Sequence, residues 1–170
     1  MLRRSYRVFM IKLADTNARI LEPVPELDYF DTQSVRLYRE ITPLAAWNFI
    51  TEDPKPILKL AFRVRDAVSG VFGVKPIRGF SGKAVQAVTV GESLDFFLVE
   101  YSDENALVLT ARDSHLDVMT CISTDGPVVT ITSSVRAHNW FGHAYMIPVG
   151  IAHRRIVRGD LRRLQRRATK

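Results

Sequence analysis

Apolar positions along the chain change period twice. Between Leu44 and Val71 they recur at three and four residues, as on one face of a helix. After Gly82 they alternate, or run together in short stretches bounded by turn residues, as in strands. Beyond Asn139 the helical period returns through Trp140, Ala144, Tyr145, Val149, Ala152, Ile156, Leu161 and Leu164.

These changes divide the chain. Residues 1–26 read as a leader that closes on Pro23 and Pro25, and 27–170 as a single domain. Thr32–Arg39 suits a first strand. Thr42 is expected to cap a helix over Leu44–Thr51, with Pro43 at its first position, where a missing N–H costs nothing. Asp53 and Pro54 restart a second helix carrying Ile57, Leu60, Ala61, Val64, Val68 and Val71. Five strand-like runs follow: Ala84–Val90, Leu94–Tyr101, Ala106–Arg112, Leu116–Ser123 and Val128–His138. Their connectors GES, SDEN, DSH and TDGP have hairpin length, so neighbouring strands should be antiparallel. In the last run Val129, Ile131, Ser133, Val135 and Ala137 share one side. Thr130, Thr132, Ser134, Arg136 and His138 share the other. Pro148 should kink or divide the final helix.

The predicted fold is therefore α+β: a curved antiparallel sheet packed around a long C-terminal helix, with two short helices after the first strand. Such a layering tends to leave a cavity between sheet and helix. Leu94–Tyr101 is apolar on both faces, so its outer face could be covered in a homodimer.

Charge changes the picture only locally. The net charge of +6 comes from +7 over residues 153–170 and +4 over residues 1–12, around a body of −5. That pattern does not make a basic nucleic-acid-binding face. The basic tail HRRIVRGDLRRLQRRATK invites a nucleic-acid or anionic-membrane reading. Cations also favour a helix C-terminus, and the arginines of the tail surround Ile156, Val157, Leu161 and Leu164, as on a docked helix with a solvated side. No run has the length of a membrane span or a signal core, so a cytoplasmic chain is expected. The one cysteine, Cys121, lies in the apolar run DVMTCIST and reads as a buried structural thiol.

Polar candidates fall in two groups. Asp113, His115 and Asp117 form the first. On a strand His115 and Asp117 would share a face, and a carboxylate beside an imidazole is an acid/base arrangement. The same residues also suit a turn, with Asp113 capping it. Arg136, His138 and Asn139 form the second group. Arg136 could hold a carboxylate, phosphate or carbonyl, or pair with Asp117 across the strands. Trp140 and Tyr145, with Trp47, Phe62, Phe72, Phe80, Phe96 and Phe97, are candidates for an aromatic cavity wall. The four histidines show no metal-ligand spacing, and neither a P-loop nor a GxGxxG is present, so no metal or cofactor is expected.

Three stretches carry a family resemblance. PELDYFDTQSV resembles a DY-x-D opening, and LVLTARDSHLDVMTCIS resembles a D-x-HLD strand pair. VTITSSVRAHNWFGHAYMIPVGIAHRRIVRGDL resembles the closing segment of the same group. The group is an uncharacterised bacterial domain-of-unknown-function family near the START, polyketide-cyclase and birch-pollen-allergen (SRPBCC) superfamily of helix-grip folds. The likeness runs from about Pro25 to Leu164. The chain departs from it at His143, where an arginine is usual, and at Ile151, where a proline is usual. The resemblance implies members that stand alone or are joined to NAD-binding domains of the short-chain-dehydrogenase type.

Three functions follow as expectations. The first is binding of a small apolar or amphipathic ligand between sheet and helix, at Asp113, Arg136, His138, Asn139, Trp140 and Tyr145. The second is a cyclase-, lyase- or hydrolase-like enzyme using His115 and Asp117. The third is an accessory or dimerisation module of an oxidoreductase system. Fold alone does not choose between them.

Overall fold

The computed structural model describes residues 10–52 and 79–168. The second short helix expected after Asp53 lies outside those residues, as do Phe62 and Phe72. A two-stranded ribbon, β1 (Ile11–Lys12) and β2 (Arg19–Ile20), comes first. Strand β3 (Tyr29–Arg36) and helix α1 (Pro43–Thr51) follow. Then come β4 (Ser93–Leu94), β5 (Phe97–Ser102), β6 (Ala106–Arg112), β7 (Leu116–Asp125) and β8 (Val128–Ala137). Helix α2 (Trp140–Arg167) closes the chain. No helix among the described residues is long and apolar enough to cross a membrane.

Strands β4 to β8 form an antiparallel meander, and β3 adds antiparallel to β8, giving the order β3-β8-β7-β6-β5-β4. Turn chemistry explains the hairpins. Asp103 Oδ1 accepts from the backbone N–H groups of Asn105 and Ala106, and Asp113 Oδ1 from those of His115 and Leu116. Gly126 turns β7 into β8 at φ 52°, a conformation that side chains disfavour. Thr42 caps α1 by accepting from Ala45 N–H at 3.2 Å.

The stretch Ala84–Val90 is not a strand. Asn48 on α1 accepts from Val85 N–H at 3.0 Å and donates to Val85 C=O at 2.8 Å. One side-chain amide thus satisfies the backbone groups that a ladder would have used. α2 is not divided at Pro148 either. Pro148 and Ala144 both face solvent, so water can reach the Ala144 carbonyl that the proline leaves unbonded.

The two faces of the sheet are covered differently. Leu107, Leu109, Ile122, Val129 and Ile131 pack beneath α1 and α2, against Trp47, Val157, Leu161 and Leu164. Arg163 fastens the two helices together: it donates to Ile50 C=O at 3.0 Å and lies over the Phe49 ring. The opposite face carries Ala106, Val108, Met119 and Cys121, with Leu21 packed on them. The ribbon is tied there through Leu21 N–H to Ser134 Oγ at 3.1 Å and Asn17 Nδ2 to Thr124 C=O at 2.8 Å.

Cys121 is fully buried, and its sulfur accepts from Arg19 N–H at 3.3 Å. Burial pushes its thiol up to about 11. The native protein should therefore resist a disulfide reagent such as DTNB near neutral pH, and react stoichiometrically once unfolded. Rapid labelling of the folded chain would show that the ribbon does not hold.

Candidate functional site

Sequence-expected residues cluster where β8 hands over to α2, but the structure divides them. Asn139 is the N-cap of α2, with Oδ1 accepting from Gly142 N–H at 3.0 Å. That bond fixes its amide, so Nδ2 faces Ser114 C=O at 3.1 Å and His115 Nδ1 at 2.8 Å. Nδ1 of His115 is then the acceptor, and the ring carries its proton on Nε2. Phe141 packs edge-on to the same ring, 4.8 Å between centroids. Asp113 closes the β6–β7 turn, as described above.

Asp117 points to the outer face. Its carboxylate meets Arg112 at 3.3 Å and His138 at 3.2 Å. His115 and Asp117 thus take different partners. Arg136 stands opposite Asp117 in register, yet its ion pair is with Glu22 at 3.7 Å, and it donates to Glu26 C=O. Trp140 is 75% exposed. Tyr145 is half-buried, stacked on Phe141 and packed with Tyr29, Val118 and Met146 over Leu116, Val135 and Ala137.

A second polar group lies between the sheet and α2, and among its members sequence reasoning singled out none as a site. Thr120, Ser133 and Asp31 stand in one row across β7, β8 and β3, on the face that meets the helices. Rows of Val118, Val135 and Tyr29 and of Ile122, Ile131 and Gln33 flank them. His153 descends on this row from α2. Its Nε2 lies 3.4 Å from Ser133 Oγ, and its Nδ1 3.4 Å from Tyr29 Oη. Tyr29 donates its proton to Gly150 C=O at 3.2 Å. Nδ1–H therefore donates to Tyr29, and the Nε2 lone pair faces the Ser133 hydroxyl. Both contacts of the ring are at the long end for hydrogen bonds.

Charge and burial set the state of this group. Asp31 holds Arg154 at 3.4 Å and accepts from Gln33 at 2.7 Å. Burial, and then the Asp31 carboxylate, hold the Tyr29 hydroxyl above its ordinary value, so it remains a donor. Burial also lowers His153 below its ordinary 6.5, with Arg154 acting in the same direction and Asp31 against it. The unfolded chain takes up a proton there that the folded chain refuses. Stability should therefore hold at neutral pH and fall as acid passes 6.5 toward the lower folded value. In thermal melts across that range His153→Gln should flatten the fall. Parallel curves for the two proteins would show that His153 is not desolvated.

The row is not sealed. Leu109 on β6 is 0% exposed, yet Thr120, directly opposite it on the interior strand β7, remains partly open, as does Val118. Gly150 brings α2 close at the other end of the row: a Cβ there would lie 2.8 Å from the Tyr29 ring. The helical layer thus presses on Tyr29 and leaves the β7 side of the row accessible. Two features of the sequence could have singled it out. Ser133 interrupts an otherwise apolar strand face. Tyr29, Asp31 and His153 fall in the opening and closing stretches that carried the family resemblance.

No curated protein and no solved structure matches the chain. A family model described as a protein of unknown function (DUF2867) matches residues 23–160. That span contains the whole six-stranded sheet, α1, and the Tyr29, Asp31, Ser133 and His153 group, and leaves out the ribbon. Since it is most of the chain, the protein belongs to the DUF2867 family.

Proposed function

We propose that the protein binds a small apolar or amphipathic molecule in the recess between β7, β8 and the first half of α2, in a helix-grip-like, SRPBCC-related arrangement. The observation that carries this reading is the partial exposure of Val118 and Thr120. They sit on an interior strand, on the face where Leu107, Leu109, Ile122, Val129 and Ile131 are buried beneath the helices. The surroundings suit a molecule with one polar end. Thr120, Ser133 and His153 present hydroxyls and an imidazole lone pair, and Val118, Tyr145 and Met146 offer apolar surface beside them. A polar group that donates to His153 Nε2 could replace its long contact with Ser133. Of the ligand residues expected from sequence, Tyr145 adjoins this recess. Asp113 and Asn139 serve the turn and the helix cap.

Titration with 1-octanol, followed by methyl and amide NMR, tests the reading. Saturable shifts are expected around Val118, Thr120 and Ser133, and Thr120→Phe should abolish them by filling the recess. Shifts that persist in the filled variant, or no shift up to the solubility limit of the probe, would contradict it. Catalysis by His115 and Asp117 finds less support, because the two side chains take separate partners.

A further inference from the structure

We propose that the outward side of α2 docks on an anionic lipid surface. Its exposed residues follow one line. Trp140, Ile147 and Ile151 are 75%, 70% and 56% exposed, and Arg155, Arg158 and Arg162 continue the same row in the second half of the helix. At 3.6 residues per turn these six occupy one sector of α2, over about 33 Å. The opposite sector holds Gly142, Gly150, Val157, Asp160, Leu161 and Leu164, which pack inward. The outer row is therefore not spare core.

Charge identifies what fits this row. Asp160 is the single acidic residue of α2, and it is buried beside Arg163 at 3.6 Å. The outer row thus has no carboxylate to receive the arginines of a second copy. An indole and two isoleucines at one end suit the headgroup boundary of a bilayer, where an amphipathic ring can keep one edge wet. Guanidinium groups at the other end suit lipid phosphates, which they bind with two parallel hydrogen bonds. Apolar contact and charge attraction would act together along one line, with the sheet standing away from the membrane.

Co-sedimentation with vesicles of phosphatidylcholine doped with phosphatidylglycerol tests this, against vesicles of phosphatidylcholine alone. The protein should pellet with the doped vesicles only, less so at high salt, with a blue shift of tryptophan emission that Trp140→Ala removes. Trp47 is buried and supplies a constant background. Arg155→Glu with Arg158→Glu should weaken binding about tenfold or more. Both changes are on exposed positions, and circular dichroism checks that the fold is kept. Failure to pellet with doped vesicles, equal pelleting on the neutral ones, or binding unchanged in the charge-reversed variant would overturn the proposal. So would light scattering that shows a dimer dissolved by Trp140→Ala, since a second copy would then cover the row.

Discussion

Leu109→Ala is expected to destabilise the protein by about 2–5 kcal/mol, a large share of what holds a domain of this size together. Leu109 is 0% exposed and lies on β6 between Val99 and Thr120, under the helices. Truncation removes apolar surface from a sealed layer and leaves a space that the paired strands cannot collapse to fill. Chemical denaturation followed by Trp47 fluorescence measures the loss. Its neighbour supplies the contrast. Thr120→Phe should cost much less than a buried overpacking, because Thr120 opens on the recess. If Leu109→Ala is mild and Thr120→Phe ruinous, the sealed and open parts of the layer have been placed the wrong way round.

Gly142→Ala is expected to cost about 2 kcal/mol or more, despite the helix preference of alanine, worth up to about 1 kcal/mol. A Cβ at this position would lie 2.5 Å from the His115 carbonyl oxygen, 3.1 Å from Leu116 and 3.3 Å from Ala137. The nearest obstacle is backbone in the β6–β7 connection, held by the Asp113 turn, so no side chain can rotate aside. Either α2 lifts off the sheet or the turn shifts. Both routes break the Asn139 contacts to Ser114 and His115. The expected result is a lower unfolding midpoint, together with changed NMR signals of the His115 ring. An unchanged midpoint would mean that the start of α2 is not seated on the turn.

Local signals made most of the elements legible. Thr42–Pro43 marked the start of α1, Asn139 that of α2, and the aspartates and glycine of the connectors marked the hairpins. Each works through bonds to groups a few residues away. What went unread depends on distant partners. Val85 has its backbone groups met by Asn48 from α1, so a run with strand composition does not join the sheet. Ile11 to Leu21 gains its structure from Cys121, Thr124 and Ser134 on the outer face. The candidate site was hidden for the same reason. Ser133, His153, Tyr29 and Asp31 come from three elements, and no spacing along the chain relates them. The residues that were adjacent in sequence, Asp113, His115 and Asp117, proved to be divided between a turn, an aromatic contact and an outer-face ion pair.

Native mass spectrometry of the protein purified from its own host decides whether the recess beside Thr120 holds a ligand. A non-covalent adduct of a small apolar or amphipathic molecule is expected, lost from Thr120→Phe at unchanged fold. A bare chain mass for the native protein under conditions that preserve weak complexes, or an adduct retained in the filled variant, would contradict it.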